Sequence, residues 1–330
     1  MIWTPLHSQL DRLLRRRLLL PQEEAVLIAV SGGQDSLCLL QLLADLQPRW
    51  GWRLGVAHCD HGWPGDEGMA ASVETFVQGL NLPFYLTKTE QLPQTEAAAR
   101  RWRYQALTDV AQSRGFNRVV TGHTQSDRAE TLLYHLLRGS GSDGLQSLGW
   151  RRSLTPEIEL VRPLLEISRA QTAAFCQARG LPVWDDPYNQ DRRFARNRLR
   201  LDLFPYLRQH FNPQVDQTLA QTLTILEGEA DYWRTVTTRL YPQMAEPGPP
   251  PRLQRRLLGE QPLALQRRLI RHFLQLHLPQ TPNFEQIEAV VALIDAPNGS
   301  TSTALPGAQV VQVQNPYLIL MSLQSLPPRR

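Results

Sequence analysis

Short apolar runs alternate with longer helical patterns through the first half of the chain. V-L-I-A-V at 26–30, R-L-G-V-A at 53–57, P-F-Y-L at 83–86 and R-V-V-T at 118–121 predict strands, and helical patterns lie at 37–47, 66–80 and 96–115. Such alternation predicts an α/β fold with a doubly wound parallel sheet, helices on both faces and ligands at the carboxyl ends of the strands. The apolar stretch L-V-R-P-L-L at 160–165 precedes a predicted helix at 168–179, an irregular loop at 182–189 and a basic helix. A long helical pattern at 212–241 meets P-Q-M-A-E-P-G-P-P-P at 242–251, whose five prolines and one glycine cannot continue it. Two amphipathic helices follow at 262–277 and 283–295, then strands at 308–314 and 317–321 around Asn315 and Pro316. The expected organisation is a sheet domain over 1–211, a helical linker with a Pro-rich hinge over 212–251, and a small α+β C-terminal domain over 252–330.

With 330 residues, 42% of them apolar and 20% charged, the chain can bury a sizeable core and is comfortable as two domains. It lacks a run of 18 apolar residues, and its start lacks a basic region followed by an apolar one, so a soluble cytoplasmic protein is expected. Three scattered cysteines, Cys38, Cys59 and Cys176, fit a reducing compartment and no thiol zinc site.

Charge changes the picture through its kind rather than its total. The net charge is only +4, yet Lys88 is the sole lysine among 35 basic residues, so arginine supplies the other 34. Arginine forks onto phosphate and stacks on bases better than lysine does. Arg192, Arg193, Arg196, Arg198, Arg200 and Arg208 face a single acid, Asp202, in sequence. Arg252, Arg255, Arg256, Arg267, Arg268 and Arg271 face only Glu260. Both patches read as nucleic-acid contacts or as solvated helix faces.

The candidate chemistry begins directly after the first strand, with S-G-G-Q-D-S at 31–36. Gly32 and Gly33 let the backbone approach phosphate, Ser31 and Ser36 add hydroxyls, and the following helix turns its positive end to the anion. No lysine of the Walker type is present. Asp35 would repel phosphate unless a cation lay between them, so it reads as a Mg²⁺ ligand.

Strand, S-G-G-x-D-S and helix together resemble the pyrophosphate loop of the N-type ATP pyrophosphatases. The resemblance implies attack on the α-phosphate of ATP, with Gln34 and the rest of the loop holding pyrophosphate. Later motifs resemble the tRNA(Ile)-lysidine synthases within that group. A-H-C-D-H-G at 57–62 is similar to their H-x-[ND]-H-G, placing His58 and His61 beside the nucleotide, with metal binding by His58, Asp60 and His61 as the other reading. E-A-A-A-R-R-W-R-Y at 96–104 is similar to their E-A-x-A-R-x-x-R-Y. Its Arg100 and Arg103 share a helical face with Glu96 and meet phosphate or form a surface salt bridge.

T-G-H-T-Q-S-D-R-A-E-T at 121–131 resembles T-G-H-x-x-D-D-x-x-E-T. It adds Gly122 and His123 to the nucleotide site, and departs from the family at Ser126 and Arg128. Asp127 and Glu130 are candidates to hold and deprotonate an amine, or else to form a capping box with Asp127 at the N-cap. R-P-L-L at 162–165, W-D-D-P-Y-N at 184–189 and F-A-R-N-R-L-R at 194–200 extend the likeness, with Tyr188 in place of a small hydroxyl residue. Arg196 and Arg200 project together from that last helix. With Arg192, Arg193, Asn197 and Arg198, and with Arg255, Arg256, Arg267, Arg268 and Arg271 farther on, they are assigned to the tRNA.

The resemblance implies ATP and Mg²⁺ as cofactors, with tRNA(Ile) bearing a CAU anticodon and free L-lysine as partners; a homodimer is left open. Lysine would be joined to C2 of the wobble cytidine through an AMP-activated base. A PP-loop tRNA thiolation enzyme and a non-catalytic tRNA-binding protein of the same fold are the alternatives. The first needs reactive cysteines, and Cys38 in L-C-L-L at 37–40 is expected to be buried.

Overall fold

The computed structural model describes residues 3–64, 66–89, 95–146, 148–185 and 187–325. It divides into two compact units, residues 1–226 and 227–330.

The first unit is built on a six-stranded sheet of order β3-β2-β1-β4-β6-β5. Its strands are β1 (Ala25–Ala29), β2 (Arg53–Asp60), β3 (Phe84–Lys88), β4 (Arg118–Thr121), β5 (Arg151–Ser153) and β6 (Glu159–Val161). All neighbours are parallel except β5 and β6. Side chains alternate across β1, so Val26 and Ile28 enter one core and Leu27 the other. The first core takes Leu10 and Leu14 from α1 (Pro5–Arg17), Leu39, Leu42 and Leu46 from α2 (Gln34–Trp50), and Phe175. The second packs Leu107 and Ala111 against Val119 and Leu160. The order reverses about β1, which pairs with β2 on one side and β4 on the other, and this switch point leaves a crevice at the carboxyl ends of the two.

The remaining helices of this unit are α3 (Met69–Gly79), α4 (Glu96–Arg114), α5 (Gln125–Leu137), α6 (Ser142–Leu145), α7 (Arg169–Arg179), α8 (Ala195–Arg198) and α9 (Phe204–His210). A π turn, Leu199–Leu203, joins α8 to α9. The helix α10 (Val215–Met244) runs through Pro242, and the boundary between the two units falls within it. Pro242 has no N–H to donate into the helix, which ends two residues later.

The second unit holds the antiparallel sheet β7-β8-β10-β9, with β7 (Ala245–Glu246), β8 (Arg252–Gln254), β9 (Gln309–Gln314) and β10 (Tyr317–Ser322). Part of the segment read as a hinge, residues 245–246, is therefore a strand of that sheet. Its helices are α11 (Arg255–Gly259), α12 (Leu263–His277) and α13 (Phe284–Val291). Leu269, Ile270, Phe273 and Leu274 of α12 pack on Val311, Val313, Leu318 and Leu320 of the sheet. Among the described residues, no helix is long and apolar enough to cross a membrane.

Candidate active site

The loop from β1 to α2 is shaped by Ser36, whose hydroxyl donates to the Gly33 carbonyl at 2.9 Å and accepts from the Ser31 amide at 3.1 Å. Gly32 sits at φ +82°, a conformation that other residues reach only with strain. Its carbonyl accepts from the Trp184 amide at 3.0 Å, which binds the loop to the W-D-D-P-Y-N stretch. Within that stretch Asp186 lies outside the described residues, as does the side chain of Glu96 on α4.

Asp35, in the first turn of α2, reaches α7. Its Oδ1 accepts from the Thr172 hydroxyl, and its Oδ2 lies 3.7 Å from Arg169 Nε. Gln34 turns the same way, donating to the Arg169 carbonyl at 3.0 Å and to Thr172 Oγ1 at 3.1 Å, so its side chain binds α7 rather than facing an anion. Burial pushes the Asp35 carboxyl above its usual range, and Arg169 and Thr172 offset that only in part. The carboxylate is thus short of positive charge.

The N-cap of α5 is Thr124, and Asp127 occupies N3. Asp127 Oδ2 accepts from both the Thr124 amide and hydroxyl at 2.8 Å. The capping box read with Asp127 at the N-cap therefore starts three residues earlier. Glu130 faces Arg200, with Nε at 2.7 Å from Oε1 and Nη2 at 2.7 Å from Oε2, while Nη2 also reaches Asp127 Oδ1 at 3.3 Å. Burial raises the Glu130 carboxyl despite that pair. For Asp127, burial works upward but is outweighed by His123, Arg200 and the Thr124 donors, so it stays below the usual range.

His123 is hydrogen-bonded to Thr121 Oγ1 at 2.8 Å. Burial, with Arg162, Arg100 and Arg196 nearby, lowers its pKa against the pull of Asp127. Gly122 packs directly on the Asp35 backbone. His58 donates Nδ1–H to the Val30 carbonyl at 2.8 Å and is 1% exposed, with burial lowering its pKa. His61 accepts from Arg103 across 3.2 Å, and burial, then Arg103, pushes it down to about 4. Asp60 is engaged by Lys88 at 3.3 Å and by the Gly62 amide. Among the described residues, no group of three or more His, Cys, Asp or Glu side chains could hold a metal, so His58, Asp60 and His61 form no such centre. Arg100 lies over Tyr104, 5.1 Å from its centroid.

Several arginines are placed differently from the sequence expectation. Arg200 is committed to Asp127 and Glu130 rather than presented outward. Asn197, 9% exposed, donates to the carbonyls of Tyr188 and Asp191 and braces that loop. Arg196 reaches Thr131 Oγ1 at 3.4 Å beside the site. Arg192, Arg193 and Arg198 are exposed: the first two pair with Asp202 and Asp191, while Arg198 donates to backbone carbonyls.

In the second unit, Arg255 holds the Ala296 carbonyl at 2.6 Å and Asn315 Oδ1 at 2.8 Å, which is a structural task. Arg256 pairs with Glu260, and Arg268 stacks on Trp233. Arg267 meets Glu288, an acid of α13 that sequence proximity did not reveal, through two bonds of 2.7 Å. Arg271 lies on the same helix, α12.

Arg169 and Thr172 were not singled out from the sequence. A signal existed: a cation in the first turn of a helix opposes the macrodipole, which hints at an anion close by. Arg162 of R-P-L-L, 1% exposed, donates to the Gly149 carbonyl at 2.6 Å and acts on His123.

A glycine-rich loop opening a helix at the switch point of a parallel sheet, with half-buried Asp35 and Asp127 and buried Glu130 beside it, defines an enzyme of the PP-loop class. The PP-loop domain model matches residues 4–207, and the TilS substrate binding domain model matches residues 253–315. The chain is 52% identical over 324 residues to the tRNA(Ile)-lysidine synthase of Synechocystis sp., covering 96% of this chain and 98% of the relative. It is 48% identical over 334 residues to that of Nostoc sp., covering 97% and 98%. The chain belongs to the tRNA(Ile)-lysidine synthase family of tRNA-modifying enzymes. A solved structure, the U34-tRNA thiolase NcsA from Methanococcus maripaludis with its [4Fe-4S] cluster, shares the fold at TM-score 0.56 and 15% identity, over 67% of this chain and 78% of that one.

Proposed function

We propose that this enzyme joins free L-lysine to C2 of the wobble cytidine in tRNA(Ile) with a CAU anticodon, in the cytoplasm, consuming ATP and releasing AMP and pyrophosphate. The observation that carries this reading is the grouping of Asp35, Asp127 and Glu130, three carboxylates held among arginines beside the pyrophosphate loop.

The cytidine O2 attacks the α-phosphate, and the loop amides with the Ser31 hydroxyl bind the departing pyrophosphate, while the Ser36 hydroxyl holds the loop in shape. Asp35 fits Mg²⁺, because its half-buried carboxylate is incompletely neutralised and such an ion needs only one or two carboxylates besides substrate phosphates. When bound, Mg²⁺ supplies neutralisation of the leaving group. Arg100 and Arg103 approach the adenylate from α4. Asp127, ionised, holds the lysine ammonium, and Glu130, with its raised pKa, is suited to take the amine's proton before attack at C2. The exposed arginines Arg192, Arg193 and Arg198, with Arg256 and Arg268, contact the tRNA backbone.

Sulfur transfer is disfavoured because Cys38 and Cys176 are 0% and 3% exposed, and burial pushes Cys59 up to about 11. The test is tRNA-dependent incorporation of labelled lysine followed by nucleoside analysis, with lysidine expected and an unmodified or thiolated wobble base overturning the reading.

A further inference from the structure

The pair of acids read as the amine site is already occupied, by a side chain of the same protein. Both oxygens of Glu130 accept from Arg200 at 2.7 Å, and Asp127 Oδ1 accepts from it at 3.3 Å. The fourth oxygen, Asp127 Oδ2, is taken by the two Thr124 donors. Every oxygen therefore has a partner, and an ammonium entering beside the guanidinium would meet a like charge.

We infer that Arg200 is the resident cation of this pocket, so that the lysine ε-ammonium and the Arg200 guanidinium are alternative occupants of the Asp127–Glu130 pair. The inference rests on the reading of that pair as the lysine site.

Burial decides which partner can yield. The Glu130 side chain is 5% exposed and Asp127 is anchored by its cap, whereas Arg200 retains 24% exposure and a long stem. The backbone under Arg200 is also the exception in its helix, a π turn between two α segments. Such turns are one residue out of α register, and a one-residue change of register rotates a helix by about 100°. A rotation of that size would carry Arg200 off the acids. Arg192, Arg193 and Arg198 lie in the same stretch, so a released guanidinium joins a surface suited to phosphate.

The exchange makes Arg200 a determinant of amine specificity. A bidentate guanidinium is a stronger competitor than a bare ammonium, because its fork matches a carboxylate. A free ammonium ion or a short monoamine, offering one charge and no further anchor, would fail to displace it. Lysine carries an α-amino and a carboxylate group as additional anchors.

Calorimetric titration of L-lysine into the full chain, without ATP or tRNA, tests the exchange. Arg200→Gln should bind lysine at least fivefold more tightly than wild type, and Arg200→Lys, which retains a cation but loses the fork, should fall between them. Methylguanidinium should compete with lysine in Arg200→Gln and not in wild type. If both Arg200 variants stay folded and bind lysine no more tightly, while Glu130→Gln loses lysine binding, Arg200 is a fixed partner and the inference fails with the pocket intact. If Glu130→Gln binds lysine as wild type does, the pocket reading fails, and the inference with it.

Discussion

Gly122 touches the backbone of Asp35 so closely that a Cβ on it would lie 2.8 Å from the Asp35 carbonyl carbon and oxygen, and 2.9 Å from the Ser36 nitrogen. These are main-chain atoms of the phosphate loop, with no flexible tip to give way. The end of β4 and the start of α2 are therefore set against each other by a missing side chain. Gly122→Ala should shift the loop, lowering stability by about 1–3 kcal/mol, the usual cost of overpacking. Its tRNA-dependent pyrophosphate release should fall much further than its stability. Denaturant unfolding alongside a pyrophosphate assay measures both, and wild-type release would show slack in the loop.

Asp35 offers a pH test. Burial raises its carboxyl in the folded chain, so the unfolded chain ionises first. The stability it contributes is full below the ordinary value of 3.8 and is lost as pH rises through the higher folded value. At pH 7.5 the charge is a burden on the fold. Asp35→Asn should then melt at or above the wild-type temperature near neutrality, with the gap closing toward pH 4, yet release no pyrophosphate. A clearly lower melting temperature at neutral pH would make Asp35 a structural ion.

The sequence made the loop, the four leading strands and the acids of α5 legible, because each is a local pattern of apolar period or fixed spacing. Partners across the chain were not. That Arg196 and Arg200 sit four apart was readable, but an acid 70 residues earlier that claims Arg200 was not. Glu288 was hidden from Arg267 for the same reason, lying on a different helix. Asp127 and Glu130 suggested a capping box by their spacing, but the box belongs to Thr124, whose extended φ of −107° and ψ of 178° mark the N-cap. Threonine and aspartate both cap, and only the backbone decides between them.

The basic residues of the two units separate into carriers of structure and carriers of contact. Arg255→Ala should cost about 1.5–3 kcal/mol, the range for hydrogen bonds to a charged group, because two backbone carbonyls and Asn315 lose their donor. Arg193→Ala should leave stability unchanged, since that side chain is 74% exposed and pairs with Asp191 at the surface. It should instead lower the slope of log K against log salt for tRNA by about 0.7–0.9, the effect of one phosphate. Equal slopes for wild type and Arg193→Ala would assign that arginine to solvation.

The last prediction separates capping from amine binding at α5, where one carboxylate serves both. Thr124→Ala removes the hydroxyl donor and the cap, and should lower stability by about 1 kcal/mol. It leaves Asp127 charged, so lysine affinity should hold. Asp127→Asn does the reverse. Its amide oxygen can still accept from the Thr124 amide and hydroxyl, which now both converge on Oδ2, so the cap survives. What disappears is the negative charge that pairs with an ammonium, and lysine affinity should fall at least tenfold, equivalent to about 1.4 kcal/mol. Thermal melts and lysine titrations on both variants give four numbers. If Asp127→Asn loses stability while its lysine affinity stays at the wild-type level, Asp127 is a cap alone, and the amine must bind elsewhere in the crevice.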